Sequence, residues 1–124
     1  MIKQLDLVIV PVSDQDQARD FYTDKLGFEL RGDTPYGESS RWLEVAPPNA
    51  EAKLALIPPM GPDQAQPGMD MRTSFTTDDL DAEHARLRDA GVDIEDIMRM
   101  EDPVPPMAFF RDMDGNRFLL VQRD

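Results

Sequence analysis

Few side chains in this chain could do chemistry, and their spacing narrows what that chemistry could be. There is no cysteine, so thiolate catalysis and disulfide bonding are excluded. The single histidine, His84, falls four residues after Leu80 and three before Leu87, at the edge of an apolar helical stripe. An imidazole can serve as a base near neutrality, but the sequence places no nucleophile or orienting carboxylate beside it. Glu44, in the run Arg41–Val45 (RWLEV), is the strongest single carboxylate candidate. By strand alternation it shares a face with Ser40, Trp42 and Ala46. Asp112, Asp114 and Asn116 resemble the start of a calcium loop. However, glycine follows the second aspartate by one residue instead of three, and the twelfth position is Arg123 instead of glutamate. A hairpin turn accounts for them better. Glu44 and His84 therefore stand as weak catalytic candidates.

Binding chemistry has more material. Tyr36, Trp42, Met60, Met107, Phe109 and Phe110 fall on expected strands and loops. As a set they could wall a pocket for a planar or hydrophobic molecule, since ligand pockets are mostly apolar with a few polar anchors and methionine adapts its shape. Arg41 and Arg72 could hold an anionic group through two parallel hydrogen bonds.

The elements that must position these groups occur twice. Asp14 is followed thirteen residues later by Gly27, with Ala18 between and Phe28 after. Sixty-four residues on, Asp78 is followed thirteen later by Gly91, with Ala82 between and Val92 after. Each copy runs from an apolar strand through an acidic helix cap and a helix to a glycine stop. The first copy predicts strands at Lys3–Val12, Phe28–Arg31, Ser40–Ala46 and Lys53–Ile57, with a loop over Gly32–Ser39. The second predicts Met71–Thr77, a helix over Asp79–Ala90, and strands near Asp93–Met100, Pro106–Arg111 and Arg117–Gln122. Asp114-Gly115 marks a hairpin. Between the copies, Pro58–Gly68 holds four prolines and two glycines and reads as a hinge. The fold class is α+β: one domain over 1–124 built of two βαβββ modules, 1–57 and 68–124, joined by the hinge 58–67.

Composition limits the partners. Of 124 residues, 40% are apolar, enough for a core, and no run of about twenty apolar residues could span a membrane. Thirteen basic against 25 acidic residues give a net charge of −12, which repels phosphate backbones and argues against nucleic acid. The same surface would attract a cationic ligand. No signal-peptide pattern is seen at the start, so the expected compartment is the cytoplasm.

VPVSDQDQARDFYTDKLGFEL (Val10–Leu30) and FRDMDGNRFLLVQ (Phe110–Gln122) resemble the opening and closing signatures of the vicinal oxygen chelate superfamily. That superfamily includes glyoxalase I, extradiol dioxygenases and bleomycin-resistance proteins. The resemblance spans nearly the whole chain, with Met113 where proline is more usual. It implies two βαβββ modules whose sheets curl into a cleft, often in a homodimer.

The resemblance also implies where a divalent ion would sit: four His, Glu or Gln ligands, on the first and last strand of each module. The corresponding positions here are Leu7, Ala55, Met71 and Leu119, or Leu56 and Arg72 after a one-residue slip. Leucine and alanine offer no lone pair, a thioether suits only soft metals, and arginine would repel the ion. No metal and no other cofactor is therefore expected. The functional expectation is a metal-independent binding protein that sequesters a small, partly apolar molecule, with Tyr36, Trp42, Arg72, Met107, Phe109 and Phe110 as its binding residues. The alternatives are an enzyme of glyoxalase or dioxygenase type using non-standard residues, and a scaffolding protein that keeps the fold for dimerisation.

Overall fold

The computed structural model describes all of residues 1–124. They group into two compact units, Met1–Pro67 and Gly68–Asp124. Each unit is a four-stranded mixed sheet with one helix laid on one face.

In the first unit the strands are β1 (Leu7–Pro11), β2 (Glu29–Tyr36), β3 (Ser40–Ala46) and β4 (Lys53–Ile57), in the spatial order β1-β4-β3-β2. β1 runs parallel to β4; the other pairs are antiparallel. The helix α1 (Gln15–Asp20) starts at Asp14, whose carboxylate accepts a hydrogen bond from Gln17 N at 3.1 Å. It continues into a π-helical turn, Phe21–Lys25, closed by Leu26 N donating to Phe21 O at 3.2 Å. Gly27 ends it at φ +78°, a conformation glycine adopts without a Cβ clash. Val10, Leu43, Val45, Leu54 and Leu56 on the strands and Ala18, Phe21 and Tyr22 on the helix are all buried in this unit. Tyr22 is fully buried, with its ring edge-on to Phe21 and tilted against Phe28.

The second unit repeats the plan with β5 (Asp70–Thr77), α2 (Leu80–Asp89), β6 (Asp93–Ile94), β7 (Met107–Arg111) and β8 (Arg117–Gln122), in the order β5-β8-β7-β6. Asp79 caps α2 by accepting from Ala82 N at 3.0 Å, and Gly91 follows its end at φ +86°. Phe75, Phe110 and Phe118 form an aromatic cluster, with centroids 5.3–6.1 Å apart. Leu80, Leu87 and Val92 are buried in the same unit.

The architecture matches the two expected βαβββ modules, with three differences. Gly32–Tyr36 is strand, not loop: β2 pairs along β3 as far as Tyr36 opposite Ser40. As an edge strand β2 tolerates Pro35, which has no N–H to give to a neighbour. The second strand of the second module shrinks to Asp93–Ile94 plus a bridge from Met98 to Met107. Finally, the repeat offset is not constant. The caps Asp14 and Asp79 lie 65 residues apart, whereas Gly27 and Gly91 lie 64 apart. The π turn takes up the extra residue of the first helix.

Candidate functional site

In each sheet, one face packs under the helix and the other is left for something else. On β3 the buried Leu43 and Val45 face α1, so Trp42 and Glu44 point to the opposite face. Register makes Ile9, Ala55, Glu44 and Gly32 one row across the first sheet. Ile9 is 55% exposed and Trp42 37%. The Trp42 indole Nε1 donates to Glu44 Oε2 at 2.8 Å, and Glu44 Oε1 lies 3.7 Å from Lys53 Nζ. Glu44 is therefore a carboxylate already engaged by an indole and an ammonium. The face beyond it is open, since a Cβ built on Gly32 would meet only that carboxylate, at 3.9 Å.

At one end of this unit, Gln15, Tyr36, Ser40, Arg41, Ile57 and Met60 help line a recess of about 380 Å³. Gln15 Nε2 donates to the carbonyls of Arg41 and Leu56, both at 2.9 Å, tying the helix start to β3 and β4. Arg41 grips both oxygens of Asp33 at 3.0 Å and Asp16 Oδ1 at 2.7 Å. These hydrogen bonds raise the guanidinium pKa further, and the bond from Arg41 lowers that of Asp16. Arg41 is thus committed to two carboxylates and not free to take a ligand anion.

The second unit holds the more developed site. Ser74 on β5, Leu119 on β8 and Phe109 on β7 form a row on the face away from α2. Asp70, Arg72, Thr73, Ser74, Phe109 and Leu119 line a recess of about 450 Å³. Beyond Phe109, Ile94, Glu95, Asp96 and Met98 line another of about 490 Å³. The Arg117 guanidinium lies 3.4 Å from the Phe109 ring centroid, a cation–π contact. Its Nη1 is 3.6 Å from Asp70 Oδ2 and its Nε 3.6 Å from Glu95 Oε2, while Arg111 Nη1 approaches the same Glu95 oxygen at 3.0 Å. Arg117 Nε and Glu95 Oε2 are shut off from solvent without a well-formed hydrogen bond, so their attraction is that of an ion pair.

Arg72 is placed unlike any other arginine. It sits in a bulge of β5, between the paired residues Asp70 and Ser74, at φ +53°. A left-handed backbone costs a non-glycine residue about 1–2 kcal/mol. Its amide donates to Asp70 Oδ1 at 3.1 Å, and Thr73 Oγ1 donates to Met71 O at 2.9 Å, which holds the bulge. Its side chain is exposed and has no carboxylate partner, unlike Arg19, Arg31, Arg41, Arg86, Arg88, Arg99, Arg111 and Arg117.

The residues singled out from sequence divide accordingly. Arg72, Phe109 and Leu119 come together at the 450 Å³ recess, and Met107 shares their face of β7. Tyr36 lies at the recess of the first unit, and Trp42 pairs with Glu44 on that unit's open face. Phe110 is 3% exposed and stacked on Phe118, so it belongs to the core and not to a ligand wall. Adjacent strand residues face opposite ways, and only one of Phe109 and Phe110 could have lined a site. His84 places Nε2 2.9 Å from the Glu95 carbonyl, tying α2 to the segment after β6. Asp112 accepts from Asp114 N, Asn116 N and Asn116 Nδ2, all at 2.9 Å, so this carboxylate is spent on closing the hairpin. The sequence reading missed Asp70, Ser74, Glu95 and Arg117. Strand alternation applied from the helix caps, at the offset of 65, would have found the row through Ser74.

The expected ion positions carry no donor set. Leu7 and Ala55 share the open face of the first sheet, and Leu119 lies on that of the second. Measured from the helix caps, the counterpart of Leu7 is Arg72 and not Met71. No three His, Cys, Asp or Glu side chains are grouped as a metal site requires. The side chains at these positions do not fit a divalent ion.

Compared with known proteins, residues 4–120 match the family model of the glyoxalase/bleomycin resistance protein/dioxygenase superfamily. The chain belongs to that superfamily. Among its relatives is the Bacillus subtilis protein YetH, 36% identical over 126 residues that cover 98% of this chain and all of YetH. Among solved structures, TnmS3, an antibiotic binding protein from Streptomyces sp. CB03234, is 38% identical with a TM-score of 0.87, covering 99% of this chain and 98% of its own. A superfamily member from Sphaerobacter thermophilus superposes with a TM-score of 0.91 at 33% identity, over 98% of each chain. The fold and family are thereby fixed, and no helix is long and apolar enough to cross a membrane.

Proposed function

We propose that this superfamily member is a metal-independent binding protein that holds a small, partly apolar, planar molecule without consuming it. The reading rests on one observation. Leu119, at the position of the family's last metal ligand, floors with Phe109 a recess of about 450 Å³, where a family enzyme would carry a donor. That volume is within the range of small-molecule pockets, and its floor is apolar with polar groups at the margin. The 38% identity to an antibiotic binding protein supports the same reading. Met107 is proposed as a further apolar contact on the same face of that unit, and Trp42 and Tyr36 as ligand contacts on the first unit's own open face and recess; the working form is a cytoplasmic homodimer.

The test is calorimetric titration of the purified protein with a panel of planar aromatic antibiotics, bleomycin-type cations included. Mass spectrometry of the recovered compound completes it. The expected result is stoichiometric binding, indifferent to EDTA, with the compound returned unchanged. Trp42 is the only tryptophan, and its emission gives a second readout. No binding across the panel would defeat the proposal. So would metal-stimulated turnover of a methylglyoxal–glutathione adduct or a catechol.

A further inference from the structure

We propose that Arg72 makes the recess of the second unit selective for an acidic aromatic ligand: a planar ring system bearing a carboxylate, a sulfonate or an ionised phenol. This builds on the binding role proposed above and assigns the ligand's charge, against the expectation from net charge.

Three observations point to the anion. First, on a chain of net charge −12, almost every arginine is paired with a carboxylate, yet the one lining this recess is not. The only carboxylate in the lining, Asp70, is already drawn to Arg117 and to the Arg72 amide. The guanidinium is thus the uncompensated charge of the site. Second, the backbone at φ +53° would suit glycine, and strain of this kind tends to persist where a side chain is used. Third, the guanidinium stands beside an apolar floor of Phe109 and Leu119 and the unengaged hydroxyl of Ser74. A ring lying on Phe109 and Leu119 would carry an anionic substituent to the margin, where Arg72 can grip two oxygens and Ser74 can donate to one. A cationic ring would instead meet the bare guanidinium.

Two fluorogenic probes with the same rings separate charge from shape: 1-anilinonaphthalene-8-sulfonate, an anion, and N-phenyl-1-naphthylamine, its neutral counterpart. The expected result is saturable binding of both, with the sulfonate bound more tightly at low salt and losing that advantage as salt rises. Arg72→Gln should weaken the sulfonate about tenfold, the size of a lost charge-assisted hydrogen bond, and leave the neutral probe unchanged. Arg72→Gly should weaken the sulfonate equally while raising the melting temperature, so the loss cannot be ascribed to unfolding. Sulfonate affinity within twofold of wild type in Arg72→Gln, with the neutral probe still bound, overturns the charge assignment alone. If neither probe binds saturably, the recess reading falls with it.

Discussion

Asn116 offers the sharpest test of how the second unit is held in register. The side chain is fully buried; its Oδ1 accepts from Gly68 N at 2.9 Å and Met69 N at 3.2 Å, and its Nδ2 donates to Asp112 Oδ2 at 2.9 Å. It therefore ties the start of β5 to the turn before β8. Asn116→Ala removes these three bonds, so two amides and a buried carboxylate oxygen of Asp112 each lose this contact. Two neutral bonds are worth about 1 kcal/mol each and one to a charged acceptor about 1.5–3, giving roughly 3.5–5 kcal/mol. Water entering the vacated space returns part of this, so the expected loss is about 3 kcal/mol. For a chain of this size that lowers the melting temperature by roughly 10 °C. Urea unfolding followed by circular dichroism at 222 nm measures it directly. Asn116→Leu should lose about as much, because filling the volume does not restore the donor that Asp112 faces. A loss below about 1 kcal/mol in both variants would refute the inference that these bonds carry the junction.

Three further outcomes are expected. Phe109→Ala removes the recess floor and the ring beneath Arg117, and should weaken any aromatic ligand at least tenfold in calorimetry, since buried aromatic anchors dominate binding. Gly115→Ala places a side chain at φ +83°, with its Cβ 3.8 Å from Gly68 Cα, and should cost about 1–2 kcal/mol in urea unfolding. The hydrogen bond from Arg41 holds the folded-state pKa of Asp16 below the usual aspartate value. Its contribution is present above the unfolded pKa and lost as pH falls through the folded value. Wild type should therefore melt slightly above Asp16→Asn at pH 5–7, and the two curves should converge as the pH falls below the folded value.

Sequence alone shows the parts of this fold that depend on local chemistry. Asp14 needs only its own carboxylate to cap a helix, and Gly27 and Gly91 need only their missing Cβ to end one. The family signatures around them gave the module plan. What escaped depends on partners distant in sequence. Gly32–Tyr36 reads as loop because glycine and proline break isolated strands, and only pairing to β3 overrides them. The site suffered from a similar slip. Counting by 64 pairs Asp14 with Asp78, but the cap is Asp79, and a one-residue error in a strand turns every side chain to the opposite face. Met71 was thereby favoured over Arg72. Arg117 could not be foreseen as a site residue, because its position over Phe109 follows from the pairing of β7 with β8.

The π-helical turn at Phe21–Lys25 also bears on the history of the chain. The first helix carries one residue more than the second between equivalent cap and stop, and the wide turn absorbs it while Tyr22 stays buried. An insertion in a regular helix would rotate everything after it by about 100° and bring polar side chains to the core. Housed in a single wide turn, it leaves both flanking strands undisturbed, so selection has little to remove. Because only one half has it, the change came after the halves had begun to diverge, by gain in the first or loss in the second. A relative whose first helix is one residue shorter would record the state before a gain, and one whose second helix is one residue longer the state before a loss.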